Sequence, residues 1–119
     1  AMGIATNDSE LGLQRSMAPH DALHYFDFLA GFDSGHGAKP GPGMLDAFCR
    51  AHDLAPTEVA VVGDNAHDLE MGHVGGSGFK VGVLTGTSTR QDLAPYADLV
   101  LDSIAGLVEH QGFLAELGR

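Results

Sequence analysis

The sequence predicts an α/β fold in which a parallel β-sheet carries helices on both faces. Short apolar runs alternate with longer stretches of helical character along the 119 residues, which is the pattern of repeated strand–helix units. The run Val59–Gly63 contains no polar side chain, and such runs are typical of strands that are buried on both faces of a sheet. Because 119 residues suit one domain of ordinary size, we predict that residues 1–119 form a single core domain.

The first half of the chain supplies two predicted strands and two predicted helices. Met2–Thr6 is a short apolar run that suits a buried strand. Polar residues able to cap a helix follow it, so we predict a helix over Leu11–Met17, which Pro19 limits. Phe26–Phe32 predicts a second strand, and a Gly/Pro-rich loop then leads to a helix over Met44–His52 with its apolar residues on one face.

The second half continues the alternation of strands and helices. Its clearest strand is the all-apolar run described above, and a Gly-Asp turn separates that strand from the next helix. The predicted elements are strand Val59–Gly63, helix His67–Val74, strand Phe79–Leu84, helix Thr89–Leu93, strand Asp98–Leu101 and a closing helix Ile104–Leu117. Gly75–Gly78 is interpreted as a turn, and Thr85–Thr87 as a loop after a strand that could border a site.

Charge and composition argue against several classes of protein. The chain has 16 acidic and 6 basic residues and a net charge of −10, whereas proteins that bind nucleic acid need clustered Lys and Arg. No apolar run reaches the roughly 18 residues that a membrane-spanning helix needs. Cys49 is the only cysteine, so no internal disulfide can form, and we expect it to be buried as a small hydrophobic residue. These observations predict a cytoplasmic protein with neither nucleic acid nor membrane as a partner.

Polar residues follow the carboxyl ends of the predicted strands, where ligands bind in parallel α/β sheets. Thr6 and Asn7 follow the first strand, and Asp64 follows the third, with Asp68 one helical turn further on. Two carboxylates held close together repel each other unless a cation lies beside them, and Mg²⁺ accepts a few carboxylates while keeping positions for water and phosphate. Lys39 could offset phosphate charge. Taken singly, each of these residues also has a plain explanation as a helix cap or a solvated surface group.

The order of these residues resembles motifs two, three and four of the haloacid dehalogenase (HAD) superfamily, and most closely its phosphoglycolate-phosphatase-type members. The likeness depends on a strand followed by Thr-Asn, a Lys-Pro before a helix, and a strand followed by Gly-Asp-x-x-x-Asp. It extends from Met2 to about Leu101, although Asn65 stands where the family often has Thr or Ser. The resemblance implies a Rossmann-like core, Mg²⁺ as cofactor, and hydrolysis of small phosphate monoesters.

The resemblance also implies a role for each residue of the site. Thr6 and Asn7 would bind the phosphoryl group. Lys39 would bind phosphate as well and neutralise charge on it and on the nucleophile, so Thr6 and Lys39 are the expected catalytic residues. Asp64 and Asp68 are the expected metal residues, with Asp64 holding Mg²⁺ and Asp68 supporting either the metal shell or Lys39.

Two parts of the family pattern do not occur in these 119 residues. Members of the family attack phosphorus with an Asp of an Asp-x-Asp pattern on a central first strand, and a cap domain inserted after it usually selects the substrate. We therefore predict a partial core, covering motifs two to four without a cap, that is inactive by itself.

Without the central strand, the strands that bear Thr6 and Asp64 would each have an exposed edge. Unpaired buried backbone groups are costly, so we expect one of three outcomes. The two strands pair directly, or a second copy or the missing N-terminal segment fills the gap, or a cleaved partner piece stays bound.

Other functions remain open on the sequence. The chain could be a non-catalytic module that binds phosphate and metal, or a subunit completed by a partner chain. A phosphoacceptor receiver domain also groups Asp, Thr and Lys at strand ends, but in the reverse order along the chain. Among the seven histidines, His20 and His24 have the spacing of zinc ligands without a third ligand in register, while His36 and His67 could line the pocket.

Overall fold

Five strands and four α-helices make up the part of the chain that the computed structural model describes, residues 1–106. In chain order they are β1 (Gly3–Ala5), α1 (Glu10–Met17), β2 (Phe28–Ala30), α2 (Gly43–His52), β3 (Ala60–Gly63), α3 (Ala66–Gly75), β4 (Phe79–Val83), α4 (Arg90–Leu93) and β5 (Leu99–Leu101). Each strand and helix predicted up to residue 101 is present, with no end displaced by more than two residues. The predicted closing helix Ile104–Leu117 lies largely outside the described residues.

All strand pairs are parallel, but the strands form two separate sheets. β1 pairs with β2, and β3, β4 and β5 pair in that order. Helices lie on both sides of the strands, so the predicted α/β class is confirmed. Within residues 1–106, no helix is long and apolar enough to cross a lipid bilayer.

Of the three outcomes expected for the gap, direct pairing of the strands before Thr6 and Asp64 does not occur. These strands, β1 and β3, belong to different sheets. At the carboxyl end of β1, the Ala5 carbonyl accepts a hydrogen bond from the Lys39 ammonium at 2.8 Å, rather than from a backbone N–H of β3. At this end of β1, the backbone carbonyl is therefore satisfied by a lysine side chain and not by a neighbouring strand.

The two sheets share one hydrophobic core that is centred on α2. Met44 and Leu45 of α2 are only 1% and 4% exposed, and their cluster includes Ala30 of β2 and Val61 of β3. Cys49 is buried in the same cluster, as predicted. Burial of a large apolar side chain contributes about 1.5–3 kcal/mol. Packing on α2 therefore holds the two sheets together, although no strand ladder joins them within residues 1–106.

β3 differs from its prediction in one respect, the exposure of Ala60. The all-apolar run predicts burial on both faces, and Val61 is indeed buried at 7% exposure. Ala60, however, is exposed. Within residues 1–106, β3 is an edge strand whose one partner is β4, and the Ala60 side chain is in contact with solvent.

Candidate functional site

A pocket of about 230 Å³ opens at the carboxyl ends of β1 and β3. Its lining residues are Asn7, Lys39, Asp64, Asn65, His67 and Asp68. Four of the five residues predicted for the site therefore come together, and Thr6 is the one that does not line the pocket. The position agrees with the rule that open parallel sheets bind ligands beyond the carboxyl ends of their strands.

Thr6 shapes the chain where it leaves β1. Its Oγ1 accepts a hydrogen bond from the Asp8 N–H at 3.1 Å, and its own N–H donates to the Ala30 carbonyl at 2.9 Å. Three residues later, Ser9 Oγ caps α1 by accepting from the Gly12 N–H at 2.9 Å. The Thr6 hydroxyl thus directs the turn into α1, and its O–H remains a donor because it uses only an acceptor position here.

Asn7 fixes the backbone of Lys39. Its Oδ1 accepts from the Lys39 N–H at 2.8 Å, and its Nδ2 donates to the Lys39 carbonyl at 3.1 Å. The two residues are 32 positions apart in the chain, so nothing in their local sequence predicts this contact. The side-chain amide of Asn7 therefore holds the Lys39 backbone in place, a role that was not part of its predicted phosphate binding.

The Lys39 ammonium lies between two acceptors at the centre of the site. It donates to the Ala5 carbonyl at 2.8 Å and to Asp68 Oδ1 at 2.5 Å. The side chains of Lys39 and Asp68 are only 11% and 14% exposed, so the ion pair is less screened by water than a surface pair. An ammonium group has three N–H donors, which leaves one for a ligand in the pocket.

Asp68 serves both Lys39 and the start of α3. While Oδ1 accepts from Lys39, Oδ2 accepts from the Asn65 N–H at 3.2 Å. In return, Asn65 Oδ1 accepts from the His67 N–H at 2.9 Å. This capping box satisfies N–H groups that a helix start leaves without partners. Both carboxylate oxygens of Asp68 are therefore engaged with protein donors.

Asp64 is the uncommitted carboxylate of the pocket. It is exposed and follows Gly63 at the end of β3, and no residue in the described range 1–106 donates a hydrogen bond to its side chain. The loop after β4 borders it closely, since a Cβ built on Gly86 would lie 2.7 Å from Asp64 Cγ. The sequence favours an ordinary loop at Thr85–Thr87, whereas the structure places this loop against the carboxylate.

The side chains in the pocket suit Mg²⁺ better than zinc. Mg²⁺ usually takes one or two protein carboxylates and fills its other positions with water and substrate oxygens, whereas zinc sites use three or four protein ligands. In the described part of the chain, no group of three or more His, Cys, Asp or Glu side chains could hold a metal. Asp64 is free to bind a cation directly, and the contact of Asp68 with Lys39 is one of the two roles expected of Asp68.

The structure separates the two histidines that could line the pocket. His67 does line it. His36 is not among the lining residues, and its ring instead stacks on Phe28 with centroids 6.1 Å apart. Only His67 is therefore placed to approach a ligand at this site.

Comparisons with known proteins agree with this fold. The chain is 29% identical over 110 residues to a phosphoglycolate phosphatase of Vibrio vulnificus, an alignment that covers 91% of this chain and 47% of that protein. The structure of a predicted phosphoglycolate phosphatase from Haemophilus somnus superposes on this chain with a TM-score of 0.80 at 23% identity. The superposition covers 90% of this chain and 48% of that protein. The structure of a conserved haloacid dehalogenase-like protein from Agrobacterium tumefaciens gives a TM-score of 0.81 at 18% identity. That superposition covers 98% of this chain and 54% of the Agrobacterium protein.

The chain spans about half the length of the curated relatives it matches. At these identities the solved structures establish the fold alone. A family profile described as HAD-hydrolase-like matches residues 36–107, which is more than half of the chain and includes Lys39, Asp64 and Asp68. The chain therefore belongs to the HAD-like hydrolase family.

Proposed function

We propose that this chain supplies one side of the active site of a Mg²⁺-dependent phosphatase that hydrolyses small phosphate monoesters. The observation that carries the proposal is the position of the Lys39 ammonium, fixed by Ala5 and Asp68 in the pocket that also contains the free carboxylate of Asp64. Family membership supports a hydrolase, and the relative from Vibrio vulnificus is named a phosphoglycolate phosphatase. A small phosphorylated metabolite of that kind is the substrate class we infer.

Each residue has a defined task in this proposal. Lys39 places a positive charge beside the phosphate oxygens, where it stabilises charge that develops in the transition state. Asn7 holds the Lys39 backbone, and the free donors of Asn7 and Thr6 bind the phosphoryl group. Asp64 would hold Mg²⁺, which polarises phosphoryl oxygens when bound. Asp68 supports the site by keeping Lys39 in place.

We expect the 119 residues by themselves not to turn over a phosphate ester. Covalent phosphoryl transfer through a carboxylate needs an attacking group besides the one that holds the metal. The carboxylates that line the pocket are Asp64 and Asp68, and Asp68 is committed to Lys39 and the helix cap. The attacking group would therefore come from another polypeptide segment.

Titration calorimetry with Mg²⁺ and with inorganic phosphate tests the binding part of the proposal. Asp64→Asn should abolish Mg²⁺ binding, whereas Asp102→Asn, which changes another exposed carboxylate, should leave it unchanged. Lys39→Met should weaken phosphate binding at constant Mg²⁺. A wild-type protein that binds Mg²⁺ no more tightly than Asp64→Asn would refute the proposed site.

Hydrolysis of p-nitrophenyl phosphate with Mg²⁺ tests the catalytic part. The chain alone should show no turnover above background. Turnover by the 119 residues that disappears in Asp64→Asn would show that the site already contains its nucleophile.

A second candidate function is a non-catalytic module that binds phosphate and metal, alone or as a subunit completed by a partner chain. The observation that favours it is the commitment of Asp68 to Lys39, which leaves no second free carboxylate among the pocket-lining residues. Binding of Mg²⁺ and phosphate without turnover, even in a longer polypeptide that contains these residues, would select this function over the phosphatase.

We further propose a cytoplasmic location, with neither nucleic acid nor membrane as a partner. The net charge of −10 disfavours polyanionic partners, and a single, buried cysteine suits a reducing compartment. Recovery of the protein in the membrane pellet or the periplasmic fraction after cell fractionation would contradict this location.

A further inference from the structure

Every residue that lines the pocket has a polar side chain. The lining groups are amides, carboxylates, an ammonium and an imidazole. Sites for small organic molecules are usually lined mainly by apolar and aromatic side chains, with only a few polar groups. A ligand held in this pocket therefore needs polar atoms on its organic part as well as on its phosphate. The roles proposed above use four of the lining residues and leave two, Asn65 and His67, without a contact to the ligand.

The side-chain amide of Asn65 is held in one orientation by helix α3. Its Oδ1 accepts from the His67 N–H at 2.9 Å, and only the oxygen of an amide can accept such a bond. The amide nitrogen is therefore the half that stays available, and within residues 1–106 no group accepts a hydrogen bond from it. Because a primary amide nitrogen carries two N–H donors, Asn65 brings two unused donors to the pocket.

The ring of His67 is the second unused group. His67 is exposed and lines the pocket, and its ring has no hydrogen-bond partner among the residues that the structure describes. His67 and Asp68 are the second and third residues of α3, and successive residues of a helix project about 100° apart. The imidazole therefore reaches the pocket from a different side than the ion pair of Asp68 with Lys39.

The pocket thus has a charged end and a polar rim. The charged end contains Lys39, the cation beside which phosphate oxygens are stabilised. The polar rim, defined here as Asn65 and His67, contains neither a carboxylate nor an ammonium and offers N–H donors. A phosphate ester that is bound at Lys39 and extends toward the polar rim presents its organic part to these donors.

We propose that Asn65 and His67 determine the specificity of the site by donating hydrogen bonds to an oxygen on the organic part of the phosphate ester. This role rests on the proposed phosphatase function, because the phosphoryl group must lie at Lys39. It narrows the substrate class to short esters that carry a further hydroxyl or carboxylate oxygen. Both residues of the polar rim are exposed, so water replaces a missing ligand oxygen and the preference should be moderate.

The side-chain amide signals in nitrogen–proton NMR spectra of the 119-residue protein test both ends of the pocket at once. The probes are ethyl phosphate and hydroxyethyl phosphate, which differ by one oxygen, each titrated at constant Mg²⁺. The Asn7 amide lies beside Lys39 and should shift with both esters, because both carry the phosphoryl group. The Asn65 amide should shift more with hydroxyethyl phosphate. Gln14, exposed on α1, should shift with neither.

The same titrations give the preference as a ratio of dissociation constants. Hydroxyethyl phosphate should bind about two- to tenfold more tightly than ethyl phosphate, the range expected from one net hydrogen bond. Phosphoglycolate, in which a carboxylate replaces the hydroxymethyl group, should also bind more tightly than ethyl phosphate. The first comparison carries the test, because its two esters have the same charge.

Asn65→Ser removes the amide donors and keeps the helix cap, since serine is as good an N-cap as asparagine. The ratio of the two dissociation constants should move toward one in this variant and reach one when His67→Ala is added. His20→Ala changes another exposed histidine, outside the pocket, and should keep the wild-type ratio. A variant that only weakens the fold or the Mg²⁺ site alters both constants and leaves their ratio unchanged.

Two results would overturn this role of the polar rim. One is equal binding of ethyl and hydroxyethyl phosphate by the wild type, with equal shifts of the Asn65 amide, and the other is a preference that survives in the double variant. If a variant does not fold, the signals of the unsubstituted protein decide. Failure of the phosphatase proposal has a different signature, because the Asn7 amide would then shift with neither ester, and the specificity role would fall with it.

Discussion

Replacing Gly86 by alanine should displace the carboxylate of Asp64. A Cβ at position 86 would lie 2.7 Å from both Cγ and Oδ2 of Asp64, whereas ordinary van der Waals contact begins at 3.4 Å. One of the two groups must therefore move by about 0.7 Å. Asp64 is exposed and has no hydrogen-bond donor among residues 1–106, so the carboxylate moves and the loop stays. The free energy of unfolding should change by less than about 1 kcal/mol.

The displaced carboxylate should bind Mg²⁺ about 10- to 100-fold more weakly, the loss that is typical when residues orienting a metal ligand are changed. Calorimetric titration with Mg²⁺ measures this change, and urea unfolding confirms that stability is retained. Gly106→Ala is the matched control, because the nearest atom to its new Cβ lies 3.9 Å away. Equal Mg²⁺ affinity in Gly86→Ala, Gly106→Ala and wild type would show that Gly86 does not position the ligand.

Three further predictions concern the groups around Lys39 and the core. Asn7→Ala removes two hydrogen bonds to the Lys39 backbone and should lower the free energy of unfolding in urea by about 1–2 kcal/mol; the exposed Gln14→Ala should change it far less. A double-mutant cycle of Lys39→Met and Asp68→Asn should give a coupling energy of about 1–3 kcal/mol, and additive effects would contradict the ion pair. Burial raises the pKa of the Cys49 thiol in the folded protein. The neutral thiol therefore contributes fully to the free energy of unfolding below the unfolded pKa of about 8.5, and this contribution is lost as pH rises through the folded pKa. Unfolding measured at pH 7 and pH 9.5 should therefore differ more in wild type than in Cys49→Ala.

The strands and helices could be predicted because their signals are local. Ser9 caps α1 from the position directly before it, and the apolar run that ends at Gly63 forms β3. The division into two sheets could not be predicted in the same way. It depends on whether β1 and β3 come together, and the contact between Lys39 and the Ala5 carbonyl joins residues 34 positions apart. No local pattern encodes such a contact.

The site residues could be placed together but not assigned their partners. The carboxyl ends of parallel strands meet at one edge, which predicts that Asn7, Asp64 and Asp68 gather there. Whether an amide binds a ligand or the backbone of a distant loop depends on side-chain geometry in the folded protein. Asn7 and Lys39 are 32 positions apart, and Lys39 and Asp68 are 29 positions apart. Resemblance to a family supplied the expected order of these residues, whereas the contacts had to be observed.

The different environments of Asp64 and Asp68 explain why only one of two similar carboxylates is available to a cation. Asp68 is 14% exposed, and a charge so far withdrawn from water is costly unless a partner compensates it. Lys39 is that partner, and its second bond to the Ala5 carbonyl keeps it at the β1 end of the pocket. Asp64 is exposed to solvent, so water rather than a protein group surrounds its carboxylate. Mg²⁺ should therefore bind first to Asp64, and loss of Lys39 should weaken the fold around Asp68 before it alters the affinity of Asp64 for the metal.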